Sequence, residues 1–346
     1  MPANKPVTSR SLYDWTREEI AAFAAAAGAP AYRAQQIHHW LYERLISDPA
    51  AMTDLPASLR EALSAAVVPS MLTAAETLES TDGSRKIIWT LGDGARIETV
   101  WMPSHDGRLT LCLSSQVGCA LGCTFCATGT MGLVRQLTPG EYLEQVLLLH
   151  RLYERRPDNL VLMGMGEPLH NRKNLDCFLA TLSDKEGYNC ALARVTLSTV
   201  GMMPELIDFN RAWPQVNLAI SLVSPFDDTR SSLMPINKAH PIQSIAEGIS
   251  ELDLKWGARV TLEYPLLAGL NDRNSDAREI IRVFGPRKVK VNLIPYNTTT
   301  HADYTRPDLA RIESFQSQLV RAGIPAFIRW SKGQDVGAAC GQLVTT

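Results

Sequence analysis

The stretch LCLSSQVGCALGCTFCATG, residues 111–129, holds four of the seven cysteines of this 346-residue chain. Cys119, Cys123 and Cys126 form a C-x3-C-x2-C triplet, and Cys112 stands upstream of it, out of step. Chance burial accounts for a lone thiol but hardly for a cluster this dense, which reads as ligands or catalysts. A structural zinc site takes four ligands, usually as two separated pairs, and the chain has no second C-x2-C pair. Clustered thiolates also hold iron–sulfur clusters, where four ligands are the norm. Three protein ligands on a 4Fe–4S cluster would leave one iron open, a vacancy where a substrate or cofactor could bind.

Composition bounds the setting of this chemistry. The chain is 45% apolar and 20% charged, with room for one large domain and a smaller one. No run of eighteen or more apolar residues is present, so no membrane span is expected. The N-terminal MPANKPVTSRSLYDW has no apolar export core, so a cytoplasmic protein with reduced thiols is expected. A net charge of −2 argues against a generic nucleic-acid coat, although a local basic patch would escape the bulk count.

The elements that must position the thiols can be read from pattern. Residues 12–66 read as helical: Thr16 and Glu19 make a capping box, and Ile37, Trp40, Leu41 and Leu45 share an apolar face that predicts core packing. Arg33, His38, His39 and Arg44 could form a polar face touching RNA, although such a pattern more often marks a solvated surface. RKIIWTLGDGARIETVWMP alternates around a Gly-Asp-Gly turn and predicts a hairpin. From about residue 109, LTLCLSS, NLVLMGMG, RVTLST, VNLAISLV, RVTLEYPLL, VKVNLIPYN and AFIRWS recur as short strands. Segments long enough for helices lie between several of them. One begins with Thr138 as N-cap, Pro139 at the first helical position and Glu141 as the capping-box acid. Repeated strand–helix units predict an α/β fold with a parallel sheet, a barrel or partial barrel, and active residues at the C-terminal strand ends.

The triplet resembles the signature of the radical S-adenosylmethionine (SAM) superfamily. TLCLSSQVGCALGCTFCATG, MGMGEPLHN, VTLSTVG, LMPINK, VNLIPYN and AACGQL together resemble the RlmN/Cfr family of adenosine-modifying RNA methyltransferases. YRAQQIHHWLY and MTDLPASLREAL resemble that family's N-terminal accessory domain. The resemblance implies a partial (β/α)6-type radical SAM barrel at 109–346, a β-hairpin connector at 76–108 and a helical accessory, RNA-binding domain at 1–75. It also implies a 4Fe–4S cluster on Cys119, Cys123 and Cys126, with SAM chelating the open iron, two SAM molecules per turnover and a reducing electron donor such as flavodoxin. A monomer without membrane attachment is expected.

By the same resemblance Gly166 and Glu167 would hold the SAM amino group, and Ser198, Ser221 and Asn297 would bind SAM from other strand ends. Taken alone, each would be an ordinary turn or loop-start residue. Where the family commonly reads Ser-Leu-His, this chain reads Ser221-Leu222-Val223, so a contact at Val223 can come only from backbone. Cys340 corresponds to the methyl-carrying cysteine and Cys112 to the thiolate that deprotonates the adduct and releases the base by forming a disulfide. Glu98 corresponds to a proton acceptor. In isolation Cys340 would be a small buried hydrophobe and Glu98 a solvated face. Cys177 and Cys190 fall outside every motif and read as structural thiols. The implied reaction methylates adenosine C2 in 23S rRNA, and in tRNA next to the anticodon. C8 methylation of rRNA is the nearest alternative, and a non-catalytic iron–sulfur RNA-binding protein is the second. Adenine C2 and C8 are not nucleophilic, which explains the need for a radical.

Overall fold

The computed structural model describes residues 10–345. Residues 1–9, part of the stretch read for an export segment, lie outside them. Three helices open the described chain: α1 (Arg17–Ala26), α2 (Tyr32–Tyr42) and α3 (Ala57–Ala66). The Thr16 hydroxyl accepts the Glu19 N–H (3.2 Å), and the Glu19 carboxylate accepts the Thr16 N–H (2.8 Å), so α1 starts at the expected capping box. Ile37, Trp40, Leu41 and Leu45 are buried as their spacing predicts. Trp40 Nε1 donates to Asp54 Oδ1 (2.5 Å), which satisfies the indole's one polar atom. Arg33, His38, His39 and Arg44 do not form one polar face, because His38 is buried and stacks on Tyr42 with centroids 5.7 Å apart.

Next come β1 (Leu72–Glu79), β2 (Arg85–Leu91) and β3 (Arg96–Pro103), an antiparallel meander containing the predicted hairpin as β2–β3. Strand β1 has no alternating signature in sequence because it is a sheet edge, exposed along nearly its whole length. The meander is continuous with the main sheet, since β3 pairs antiparallel with β4 (Leu109–Cys112). After β4 the chain makes a small hairpin, β5 (Gln116–Cys119) and β6 (Gly132–Gln136), with the one-turn helix α4 (Ala127–Thr130) between them.

Strand–helix units then repeat: α5 (Pro139–Leu152), β7 (Asn159–Leu162), α6 (Arg172–Ser183), β8 (Val195–Thr199), α7 (Met203–Ala212) and β9 (Asn217–Ser221). They continue through α8 (Asp227–Leu233), α9 (Ile242–Glu251), β10 (Val260–Leu266), α10 (Asn274–Phe284), β11 (Val289–Pro295), α11 (Leu309–Arg321) and β12 (Ala326–Ile328). The ten-stranded sheet runs β1-β2-β3-β4-β7-β8-β9-β10-β11-β12. Every neighbouring pair from β4 onward is parallel. Parallel neighbours require crossovers, and helices supply them. The sheet runs from edge β1 to edge β12 without closing, a partial barrel of the expected α/β type.

The N-terminal helices are fastened to this core by polar contacts. Asp14 Oδ1 accepts the Gly140 N–H (2.8 Å) in the first turn of α5, and Arg17 pairs with Asp184 (2.9 Å) just after α6. Buried Glu144 of α5 accepts from the backbone of Met71 (2.8 Å) and Leu72 (2.9 Å) and from the Ser70 hydroxyl (2.6 Å).

Candidate active site

The β5–β6 hairpin carries the cysteine triplet over the C-terminal ends of the strands. It depends on Gly118, whose φ is +73° and where any Cβ would come within 1.9 Å of the Gly132 carbonyl. Arg135 of β6, almost wholly buried, clamps the hairpin between Asp93 in the β2–β3 turn and Glu141 of α5 (both 2.7 Å). On the other side the loop is tied to the end of the chain: Ala127 N–H donates to the Gly341 carbonyl (2.7 Å) and the Thr128 hydroxyl to the Leu343 carbonyl (2.5 Å). Cys119, Cys123 and Cys126 all line a cavity of about 1050 Å³, measured out to its mouth. Burial pushes Cys119 up to about 11 and raises Cys123 and Cys126 as well, while the neighbouring thiols' charges add to the rise at Cys123. Soft thiolates crowded in a dry wall are stabilised by bound iron, which replaces the protons they would otherwise keep. Three such donors facing open space fit a 4Fe–4S cluster with one iron left to a ligand.

The facing walls come from strand ends. Gly166 has φ +102°, and a Cβ there would meet Gln116 and Ser115 at 2.6–2.7 Å, so backbone lies where a side chain cannot fit. Glu167 is 2% exposed; Oε1 accepts the Leu169 N–H (3.1 Å) and Oε2 the Val200 N–H (2.9 Å), while burial raises its carboxyl to about 7. Ser198 of β8 and Ser221 of β9 line the same cavity. Asn297, just past β11, donates to Ser331 Oγ (2.9 Å) and the Cys340 carbonyl (3.0 Å), leaving its buried Oδ1 without a partner. Val223 lines the cavity in the left-handed region (φ +62°), a strained conformation for a β-branched residue. The Asn271 amide holds it there through the Val223 carbonyl (2.6 Å). Leu222 is fully buried and outside the cavity lining, and its backbone bonds Glu263 and Arg230.

A second cavity, of about 800 Å³, is lined by both Cys112 and Cys340. Cys340, Met163 and Arg329 line the first cavity as well, so they form the wall between the two. Cys340 is therefore the one cysteine that lines both cavities. Burial and then the charge of Cys340 push Cys112 up to about 12, and the Arg329 cation opposes the rise. Glu98 lies elsewhere. It is fully buried outside both cavity linings, ion-paired to Lys86 (3.2 Å), and it accepts the Val344 N–H (3.2 Å). It fastens the segment that follows Cys340.

Three residues escaped the sequence reading. Fully buried Arg230 of α8 donates to the carbonyls of Val200 (2.5 Å), Ser221 (3.1 Å), Leu222 (2.9 Å) and His240 (3.2 Å) and to Asn237 Oδ1 (2.8 Å), bracing the ends of β8 and β9. Glu263 of β10 lines the first cavity with a buried Oε2 that lacks a hydrogen-bond partner, 3.7 Å from Arg329. A charged residue inside each of the apolar strands RVTLEYPLL and AFIRWS was the available signal, since parallel strands buried on both faces admit charges chiefly at sites.

Residues 113–282 match the Radical SAM superfamily, and residues 10–68 match the Ribosomal RNA large subunit methyltransferase N-terminal domain. The chain is 43% identical to a dual-specificity RNA methyltransferase RlmN from Syntrophotalea carbinolica, covering 97% of this chain and 90% of that protein. It is 42% identical to the protein of the same name from Anaeromyxobacter sp. strain Fw109-5, covering 98% and 92%. A crystal structure of a radical SAM methyltransferase from Sphaerobacter thermophilus superposes with a TM-score of 0.91 at 43% identity, over 96% of this chain and 99% of that one. With the cysteine triplet on a cavity wall of a partial parallel barrel and relatives matched along nearly its whole length, the chain belongs to the RlmN family of radical SAM RNA methyltransferases.

Proposed function

We propose that the protein methylates adenosine at C2 in 23S rRNA, and in tRNA next to the anticodon, with Cys340 as methyl carrier. The observation that carries this reading is the position of Cys340 in the wall shared by two cavities, one lined by the thiol triplet and the other by Cys112. Cys119, Cys123 and Cys126 would hold the cluster. When bound, the cluster would supply the electron for reductive cleavage of SAM. Gly166, Glu167, Ser198, Ser221, Asn297 and the backbone at Val223 orient SAM in the first cavity; Leu222 contributes through the backbone it fixes.

Cys340 Sγ receives the methyl group from a first SAM, and a second SAM serves the transfer to the base. Cys112 Sγ takes the proton from adenine C2 of the adduct in the second cavity and gives it up again as it attacks Cys340 Sγ. The S–S bond forms as the Cys340 S–C bond to the bridging methylene breaks, that carbon takes a proton to become the methyl group, and a thiol reductant returns the disulfide to two thiols. Cys112 must be ionised to accept the C2 proton; burial opposes this, pushing the thiol up to about 12, and the Arg329 cation favours the ionised form. Glu98 fixes the Cys340 segment through Oε2, which accepts the Val344 N–H, and its buried Oε1, ion-paired to Lys86 and without a hydrogen bond, is the oxygen that would take a proton. The enzyme works as a cytoplasmic monomer with a reductant such as flavodoxin.

The test is product analysis with SAM bearing a fully deuterated methyl group. Transfer through a methylene leaves part of the label on adenine C2. A fully labelled methyl on a ring nitrogen or ribose oxygen overturns the mechanism, and 8-methyladenosine selects the C8 alternative.

A further inference from the structure

The second cavity opens beside the edge strand β12, and Trp330 and Lys332 are among the residues that line it. Trp330 is 51% exposed and is not part of the hydrophobic core, so packing does not account for a large aromatic at this position. The Arg306 guanidinium lies 5.8 Å from the Trp330 ring centroid. It is fixed by two neutral acceptors, the Tyr296 carbonyl (2.9 Å) and Gln334 Oε1 (2.8 Å). Lys332 donates to the Pro103 carbonyl, also neutral. Among the described residues neither cation makes a salt bridge to a carboxylate. A half-exposed indole with one preset, acid-free cation over its ring and a second two residues further along the chain therefore stands at the chamber that holds both Cys112 and Cys340.

We propose that this mouth is a nucleotide subsite: the base beside the target adenosine stacks on Trp330, while Arg306 and Lys332 meet the adjoining phosphates. The inference rests on the RNA reading above and specifies how that RNA is held. A flat ring accepts the face of an unstacked base on the side that Arg306 leaves open, and the two cations suit phosphodiesters, so the ligand is single-stranded RNA rather than a duplex. The net charge of −2 is compatible with this mode, which needs only two local charges.

The test is the affinity of the anaerobically purified protein for an RNA stem-loop displaying the target adenosine, measured by fluorescence anisotropy across a salt series. Trp330→Ala should bind roughly tenfold more weakly, and Trp330→Phe should restore most of the affinity. Lys332→Gln should lower the salt slope by about one. Replacing the nucleotide on one side of the target with an abasic ribose should weaken the unsubstituted protein but not Trp330→Ala, because the stacking partner is already gone. Equal affinity of Trp330→Ala and the unsubstituted protein overturns the subsite. So do abasic effects that are the same in both proteins at both neighbours. If the unsubstituted protein binds the stem-loop no better than a duplex of equal length, the RNA reading itself fails, whatever Trp330 does.

Discussion

Glu144 joins the helical N-terminal part to the sheet, and removing its charge should make the protein more stable at neutral pH. Its side chain is fully buried; Oε2 accepts the N–H groups of Met71 and Leu72 and the Ser70 hydroxyl, whereas Oε1 has no partner. Burial raises this carboxyl from 4.5 to about 7 despite those donors. The folded state therefore holds a proton that the unfolded state has already released between those values, and stability falls as pH rises through this window. The gap between 4.5 and about 7 amounts to roughly 3 kcal/mol at 1.36 kcal/mol per pH unit. Glu144→Gln keeps the shape and an acceptor for the same donors but cannot ionise. Urea unfolding should find the two proteins nearly equal at pH 5 and the variant about 3 kcal/mol more stable at pH 8, with unchanged denaturant slopes. Parallel stability–pH curves, or a variant that loses stability throughout, would refute the reasoning, because the carboxylate would then gain from its donors more than burial costs it.

The catalytic cysteines should fail differently. Cys112→Ala should accumulate RNA covalently tied through Cys340, while Cys340→Ala should carry none, as read on a denaturing gel with and without ribonuclease; a crosslink only in Cys340→Ala would reverse the roles. Arg230→Met leaves the carbonyls of Val200 and His240 and the Asn237 side chain without the donors they now have. At about 1–3 kcal/mol each, partly offset by relief of a buried cation that burial lowers to about 10, the net loss should be about 2–4 kcal/mol by urea unfolding. A loss below about 1 kcal/mol would show that the strand ends do not need this brace.

Much of the molecule is legible in short windows of sequence. The triplet, the capping boxes at Thr16 and Thr138, the β2–β3 hairpin and the seven parallel strands β4 and β7 to β12 are written in local spacing and periodicity. Strand β1 is not, because an exposed edge strand needs no apolar face. Nor was the distribution of His38, His39, Arg33 and Arg44, since spacing along a helix does not say what packs against it.

What the sequence determined by itself is the family, through the cysteine triplet and the motifs around it, and from that resemblance the residues proposed to carry chemistry. Tertiary structure decided how they meet. Cys112 ends the first parallel strand and Cys340 follows the last, yet both line one cavity while Cys340 also lines the other. Structure also places Glu98 outside both cavity linings, puts Glu263 and Arg329 into the first, and sets Arg230 outside the linings as a brace for the ends of β8 and β9. The reason is that residue type and period act over a few residues, whereas neighbours at strand ends are set by sheet order and register, which depend on pairings between segments far apart in the chain.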